Sequence, residues 1–326
     1  REWRLLFLIA CVHLLFVSSS SWAQQPQAQG EYVGGAEPCM RCHPKEYESF
    51  AASTMGTVFL KAPRNDNEAL ACEACHGPAA AHVASAGAQR LSPFMSFTKR
   101  DPATAAQLSA VCLQCHTGGA VALWQGAQHE SRGVACTNCH VIHAPDQKVL
   151  SKASQAEVCF TCHKTQRAQA RRISTHPLAA TGLASTAKMT CSACHNPHGS
   201  TGPKLLVANS VNETCYTCHA ERRGPFLWEH APVVDDCSTC HAPHGSSNAP
   251  LLKARAPWLC QECHSGDHGS QVNSGANLGR GNVTTVNGTQ QPGASAPRVQ
   301  LGGRACLNCH VLIHGSNHPA GSKFQR

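Results

Sequence analysis

The sequence predicts a protein that is mostly coil with short α-helices, and whose interior is not built from its own side chains alone. The motif Cys-x-x-Cys-His occurs ten times and accounts for every cysteine of the chain except Cys11. Only 14% of the residues are charged and 5% are aromatic, whereas an ordinary globular domain has about 25% charged residues. The stretches between the motifs are rich in Gly, Pro, Ser and Ala, which favours turns. No stretch shows the alternation that is typical of a strand.

Each motif is suited to the covalent attachment of a haem. Its two cysteines can form thioether bonds to the two vinyl groups on one edge of a haem, and the adjoining histidine can then bind the iron. Zinc ribbons and disulfide frameworks also use paired cysteines. Neither requires a histidine directly after the second cysteine, and all ten motifs have one. We therefore expect ten covalently bound haem c groups.

The predicted attachment sites are Cys39, Cys42 and His43; Cys72, Cys75 and His76; Cys112, Cys115 and His116; Cys136, Cys139 and His140; Cys159, Cys162 and His163; Cys191, Cys194 and His195; Cys215, Cys218 and His219; Cys237, Cys240 and His241; Cys260, Cys263 and His264; and Cys306, Cys309 and His310.

Ten haems in a chain of 326 residues leave only about thirty residues for each, too few to enclose it in a conventional core. The porphyrins themselves must therefore supply the core. The predicted fold class is a multihaem cytochrome c with an elongated chain of haems. The formal charge of +8 does not indicate nucleic-acid binding, because the two propionates of each haem offset it.

Residues 1–23 have the pattern of a secretory signal peptide. Arg1 and Arg4 precede an apolar run that ends at Val17, and Ser21-Trp22-Ala23 offers a small-residue cleavage site. The apolar run is shorter than the roughly twenty residues of a membrane-spanning helix. A lipidation site at Cys11 is the competing interpretation. Either interpretation predicts an exported, periplasmic protein.

An internal repeat organises the rest of the chain. Residues 159–200 and residues 215–246 are two copies of the repeat, and each copy contains two motifs. A weaker copy spans residues 112–143. The natural division lies between His163 and Cys191, and it leaves five motifs on each side. We therefore expect an N-terminal pentahaem half at 24–185 and a C-terminal pentahaem half at 186–326. Residues 269–303 contain neither Cys nor His and are expected to form a long loop.

The second axial ligands are expected from histidines outside the motifs, which we call the distal histidines. Ten haems with two axial histidines each require ten of them, and the chain has ten beyond residue 23. They are His82, His129, His143, His176, His198, His230, His244, His268, His314 and His318.

Three distal histidines constrain the arrangement of the haems. His143, His198 and His244 follow a motif histidine by three residues, so each lies on the same side of that haem and must reach a neighbouring iron. We therefore expect a continuous series of close haems. For one haem the sequence leaves two candidate ligands, His318 and Met55. A Met ligand would raise the potential of its haem, but a buried apolar side chain explains Met55 equally well.

The chain resembles the MtrA/PioA/DmsE family of decahaem periplasmic cytochromes. The resemblance rests on the segment from Gly224 to Pro232, the two Cys-His-x-Pro-His-Gly-Ser stretches and the ending Gly315-Ser316-Asn317-His318-Pro319. It implies a rod-like cytochrome inserted in an outer-membrane β-barrel porin of the MtrB/PioB type. Such a protein passes electrons between periplasmic electron carriers and the exterior, where metal oxides, ferrous iron or an extracellular multihaem cytochrome are partners. Family members tend to have a histidine where Met55 stands.

Two other functions compete with this electron conduit. The first is a soluble periplasmic carrier that feeds a terminal reductase such as a dimethyl sulfoxide reductase. The second is an enzyme that converts nitrite or hydroxylamine, which needs an iron with a vacant position. Enzymes of that kind commonly replace a motif histidine by lysine, and no Cys-x-x-Cys-Lys occurs in the chain. We therefore expect an electron-transfer protein rather than an enzyme.

Overall fold

The computed structural model describes residues 30–89, 97, 102–178, 189–264, 306–319 and 321–325, together with the backbone of 282–284 and 290–292. The predicted signal peptide at 1–23, with Cys11, and the candidate ligand His268 lie outside these residues. The chain divides into two compact units, residues 1–97 and residues 98–326. The division into pentahaem halves at 185/186 stays a prediction.

The expected fold class, mostly coil with short α-helices, is confirmed. The longest described helix is Pro102–Leu113, with 12 residues. The other described α-helices are Glu37–Met40, Pro44–Ala51, Thr54–Lys61, Asp66–Ala69, Glu73–His76, Ala80–Ala84, Gln128–Ser131, Gln155–Phe160, Lys164–Gln169, Val211–Tyr216, Ala231–Asp235 and Trp258–Gln261. Single turns of 3-10 helix lie at Gly119–Val121, Cys136–Asn138, Cys191–Ala193, Pro203–Leu205, Ala220–Arg222, Cys237–Thr239, Cys306–Asn308 and Gly321–Lys323. Among the helices described, none combines the length and the apolar character needed to cross a membrane.

Local sequence signals set where several of these helices begin. Ser210 accepts a hydrogen bond from the N–H of Glu213 at 3.1 Å, so its side chain satisfies one of the unpaired donors at the start of a helix. Pro44 occupies the first position of Pro44–Ala51, where its missing N–H is not needed. The short loops between motifs therefore end in well-defined helical turns.

One expectation was wrong, because the stretch 269–303 is not loop throughout. Asn282–Thr284 and Gln290–Pro292 form an antiparallel two-stranded pair, with Val283 opposite Gln291. The signal was present in the sequence: β-branched residues fill 283–286, and Asn287-Gly288, a dipeptide typical of tight hairpin turns, stands between the two strands.

The side-chain core of the described residues is small. Ala156, Phe160 and Ala170 form its main buried cluster. The largest side chains with less than 2% exposure are Leu108 and the carboxylate-bearing Glu68. A chain of this length with so few large buried apolar groups cannot draw its stability from side-chain packing alone. The packing therefore agrees with a core supplied by bound groups.

A buried carboxylate ties together the unit formed by residues 1–97. Glu73, the second residue of its motif, is 3% exposed. Its oxygens accept hydrogen bonds from the N–H groups of Val33 at 3.0 and 3.1 Å, Gly34 at 2.8 Å and Ala79 at 2.8 Å. This one side chain fixes the segments before and after the motif that begins at Cys72.

Buried amides play the corresponding part in the unit formed by residues 98–326. Asn212 donates to the carbonyl oxygens of Val233 at 2.9 Å and Val234 at 2.8 Å, and it accepts from the N–H of Cys237 at 2.7 Å. Gln155 accepts from the N–H of Ser192 at 3.0 Å. Each amide lies on the helix that leads into one motif and bonds to the backbone of the following motif. Consecutive motifs are thereby held in a fixed relation.

We expect Glu73→Ala to destabilise the N-terminal segment by about 1–3 kcal/mol, because the buried N–H of Ala79 and the partly buried N–H groups of Val33 and Gly34 lose their acceptor. Hydrogen exchange measured by mass spectrometry should then be about tenfold faster or more at the amides of residues 33, 34 and 79. Glu48→Ala, which removes an exposed carboxylate from the same unit, serves as the control. Equal exchange in the two variants would contradict this role of Glu73.

We expect Asn212→Asp to be at least as damaging as Asn212→Ala, at about 1–3 kcal/mol. The aspartate cannot donate to the two carbonyl oxygens of Val233 and Val234, and it places a negative charge against them. Denaturation followed by circular dichroism measures the loss. Asn209→Asp, at an exposed position on the same stretch, should leave the stability nearly unchanged, and an equal loss in that variant would contradict the prediction.

Candidate haem-binding sites

Each of the ten motifs folds as a single helical turn. In every one the N–H of the histidine donates to the carbonyl oxygen of the first cysteine, with distances from 2.8 Å at His43 to 3.1 Å at His241. Residues three and four apart lie on the same face of such a turn, so the two thiols and the imidazole point to one side. None of the twenty motif cysteines forms a disulfide. Each motif thus has the local geometry for attachment through two thioethers.

The first cysteines of consecutive motifs meet in pairs. Their thiols are hydrogen-bonded between the first and second motifs, between the third and fourth, and so on to the end of the chain. The five pairs are Cys39 with Cys72, Cys112 with Cys136, Cys159 with Cys191, Cys215 with Cys237, and Cys260 with Cys306. Each pair brings two attachment points into contact.

The second cysteines connect one pair of motifs to the next. Their thiols lie within electrostatic range of each other at Cys139 and Cys162, Cys194 and Cys218, and Cys240 and Cys263. First-cysteine and second-cysteine contacts alternate along the unit of residues 98–326. Its attachment sites are therefore neighbours in space in the same order as in the sequence.

The two cysteines of a thiol pair can have different pKa values. A hydrogen bond from Cys112 lowers the pKa of the Cys136 thiol to about 6, and a hydrogen bond from Cys72 lowers the pKa of the Cys39 thiol to about 7. The pKa of Cys72 is raised, because this thiol donates that bond and is also buried. The two thiols of such a pair therefore differ in acidity, because one donates the hydrogen bond and the other accepts it.

Six motif histidines stand opposite a distal histidine. The distances between ring centres run from 6.0 to 6.4 Å, and in five of the six pairs the ring planes lie within 25° of parallel. The pairs are His43 with His82, His163 with His129, His140 with His198, His195 with His244, His264 with His230, and His241 with His314.

These spacings fit one iron between the two rings of a pair. Two iron–nitrogen bonds of about 2 Å, plus about 1 Å from each nitrogen to its ring centre, give roughly 6 Å. The interplanar angle of 72° between His129 and His163 is compatible with this arrangement, because a ring can rotate about its iron–nitrogen bond. Burial lowers the pKa of His198, His244 and His314. These rings are therefore neutral at pH 7, as a metal ligand must be.

One ring of each pair is oriented through its Nδ1 atom. A carbonyl oxygen can only accept a hydrogen bond, so an Nδ1 atom that faces one must carry the proton, which leaves the Nε2 lone pair for a metal. His195 donates to Lys204 at 3.0 Å, and His241 donates to Pro250 at 3.0 Å. The other oriented rings are His82, facing the carbonyl oxygen of Gln89, His129 and His230, facing those of Pro197 and Ile313, and His140, facing Oε1 of Gln147.

The repeat in the sequence is matched by a hydrogen bond that recurs in the structure. The Nδ1 atoms of three distal histidines donate to the backbone carbonyl of the residue that precedes another distal histidine. His129 bonds to Pro197 at 2.8 Å, His176 to Pro243 at 2.9 Å and His230 to Ile313 at 3.1 Å, one residue before His198, His244 and His314 respectively. A ligand candidate for one haem is thus tied to the backbone that carries the candidate for the next.

For the remaining candidate ligands, binding to iron stays a prediction. His76 meets the ring of Phe97 edge-on, with ring centres 5.4 Å apart, and His219 lies 3.7 Å from a carboxylate oxygen of Glu221. Met55 is half-buried near the start of Thr54–Lys61. The partners of His76, His116, His219 and His310 across the iron stay open, with His143, His176, His268, His318 and Met55 as the candidates.

Sequence reasoning missed the residues that position the ligands. The carbonyl acceptors, such as that of Pro197, carry no signature, because every residue has a backbone carbonyl. Asn212 and Gln155 had a weak signal, since each lies three or four residues before a motif, one helical turn away. A polar residue at that spacing is common and does not by itself identify a link between motifs.

Comparisons with known proteins identify the family. The doubled CXXCH motif family matches residues 129–168, 184–224 and 230–269. The chain is 44% identical over 301 residues to the multihaem cytochrome MtrA of Shewanella baltica (strain OS185), an alignment that covers 92% of this chain and 84% of that protein. The resemblance found in the sequence is therefore confirmed. The chain belongs to the MtrA family of multihaem cytochromes, which bind haem c covalently and transfer electrons.

Proposed function

We propose that this chain carries electrons across the outer membrane, inside a β-barrel porin of the MtrB/PioB type. The observation that supports the proposal is the ordered proximity of consecutive attachment sites from Cys112 to Cys306, with first-cysteine hydrogen bonds alternating with the approach of second cysteines. Tunnelling rates fall steeply with the gap between haems, so a conductor needs sites that follow one another without interruption. A protein that exchanged electrons through one exposed haem would have no use for such a series.

We infer that ten haems are bound and that each of the six ring pairs holds one iron. Haem c, when bound, supplies a one-electron change at its iron. The two cysteines of each motif would hold the group through thioethers, and the motif histidine would bind the iron. The Nδ1 bonds of rings such as His195 and His241 fix the orientation of the ligand.

The ligand supply favours electron transfer over catalysis. An enzyme site needs an iron with a vacant position, and twelve histidines already stand in opposed pairs. The other four irons have enough candidates in the distal histidines and Met55. With both axial positions held by protein atoms, the chain keeps water and substrates away from the metal.

The hydrogen-bonding needs of the backbone support the proposed location inside a porin. Within hydrocarbon every N–H and C=O group must be satisfied internally, and a chain that is mostly coil does not meet that condition. The polar lumen of a large porin provides the sheath that such a chain requires. Export through the predicted signal peptide would deliver the chain to the periplasm. Its partners would then be periplasmic electron carriers on one side and an extracellular multihaem cytochrome, metal oxide or ferrous iron on the other.

The ring pairing can be tested at His140 and His198, whose ring centres lie 6.0 Å apart. His198→Ala should leave the iron at His140 with a free position, so about one haem per reduced chain should bind carbon monoxide. The Soret difference spectrum measures this fraction. Thr201→Ala, three residues away, removes an exposed hydrogen bond to Asn209 and should bind no more carbon monoxide than the unaltered protein. Equal binding in both variants would remove the support for this pairing.

The conduit itself can be tested by purification of the native complex. A mild detergent extract of outer membranes should yield this chain together with a β-barrel porin in equal numbers. Reconstituted in vesicles, the complex should pass electrons from an external reductant to an enclosed acceptor, whereas the porin alone should not. Recovery of the chain from the periplasmic fraction with no porin would favour the soluble carrier that feeds a terminal reductase.

A further inference from the structure

A charged pair lies beside the motif histidine of one site. We propose that Glu221 lowers the reduction potential of the haem at His219 and that Arg222, its partner, limits this effect. The inference goes beyond the proposed function, which sets no potentials, but it rests on the ligand role proposed for His219.

The carboxylate of Glu221 faces the proximal ring of one site. Its Oε1 lies 3.7 Å from Nδ1 of His219. Both residues belong to one tight turn, because Ala220–Arg222 is a 3-10 helix whose last N–H donates to the carbonyl oxygen of His219 at 3.0 Å. The corresponding Nδ1 atoms of His195 and His241 face neutral carbonyl oxygens instead. Nδ1 of His219 thus faces a charged group where these equivalents face a neutral carbonyl.

The guanidinium of Arg222 pairs with the same carboxylate. Its Nε lies 3.2 Å from Oε1 of Glu221, the oxygen that also faces Nδ1 of His219. Its positive charge therefore offsets part of the negative charge that acts on the site of His219, so the two residues have opposite effects there.

The internal repeat shows that this charged pair belongs to one copy only. The bridge from Glu213 to Arg223, 2.9 Å long, has its counterpart in the bridge from Glu157 to Arg167, 3.3 Å long. At the positions that correspond to Glu221 and Arg222, the earlier copy has Thr165 and Gln166. The repeat unit therefore folds with neutral residues at these two positions.

The physical effect follows from the charge on the iron. A negative charge nearby stabilises the ferric state and lowers the reduction potential, and a positive charge does the opposite. The carboxylate of Glu221 would therefore lower the potential of a haem held by His219, and the guanidinium of Arg222 would act in the opposite sense.

Solvent sets the scale of the effect. The side chains of Glu221 and Arg222 are 59% and 51% exposed, so water and salt screen their charges. Screening of exposed charges becomes strong when the Debye length falls from about 10 Å at 0.1 M salt to about 3 Å at 1 M. The shift in potential should therefore shrink as salt is added, whereas a shift caused by altered ligation would not.

The test replaces each charge by the residue of the earlier copy. Glu221→Thr and Arg222→Gln are made in the full holoprotein, with Glu221→Gln as a variant that keeps the side-chain size. Glu213→Gln, which removes a carboxylate from the bridge that both copies share, is the matched control. Each protein is titrated potentiometrically at low and high salt, and its ferric haems are followed by electron paramagnetic resonance.

We expect Glu221→Thr and Glu221→Gln to move one haem to a higher potential, and Arg222→Gln to move one haem to a lower potential. Both shifts should diminish at high salt, and the resonance of the haem at His219 should move in the Glu221 variants. Glu213→Gln should leave the titration unchanged. Unchanged curves in the Glu221 variants, shifts of the same sign for both charges, or an equal shift in the control would each overturn the inference.

The same measurements separate this inference from the proposed function. Haem content and the spectrum of bis-histidine ligation are recorded for every variant. Absence of bis-histidine haems in the unaltered protein would overturn the ligand assignment itself. Intact ligation with unchanged potentials would overturn only the role of Glu221 and Arg222.

Discussion

The one-turn fold of Cys-x-x-Cys-His is the constraint on which the rest of the structure depends. A hydrogen bond from the histidine N–H to the carbonyl oxygen of the first cysteine closes that turn in all ten motifs, and it sets two thiols and one imidazole on a common side. A single helical turn is unstable by itself, so each motif depends on links to other segments, such as those made by Glu73 and Asn212. The chain between motifs is mostly coil, and the side-chain core of the described residues around Phe160 is small.

Contacts between motifs turn these local units into an ordered series. First cysteines touch in one direction and second cysteines approach in the other, as Cys159 with Cys191 and Cys194 with Cys218 illustrate. Buried polar side chains hold the motifs in that relation, and Asn212 spans the gap between two of them with three hydrogen bonds. Unpaired buried polar groups are costly, so these links strongly favour one arrangement over its alternatives.

The residue types that bond covalently or coordinate a metal could be predicted from the sequence, because their chemistry demands a fixed spacing. The same spacing rule predicted that His198 and His244 must serve a neighbouring site, and each of them stands opposite the histidine of an earlier motif, His140 and His195. Orientation could not be predicted, since it depends on backbone carbonyls that the sequence does not distinguish. The short strand pair at Asn282–Thr284 was missed because its β-branched residues are embedded in a long Gly-rich and Asn-rich stretch.

The bond from His129 to the carbonyl of Pro197, repeated twice further along the unit, has a consequence for the speed of conduction. A ligand anchored at Nδ1 and bound to a metal at its other nitrogen has almost no freedom to swing when the metal gains or loses charge. With the ligation proposed above, little nuclear rearrangement would accompany each electron transfer, and the activation barrier would stay low even between sites of equal energy. Rigidity at a nitrogen remote from the metal thus lets a long relay work without a large driving force at every step.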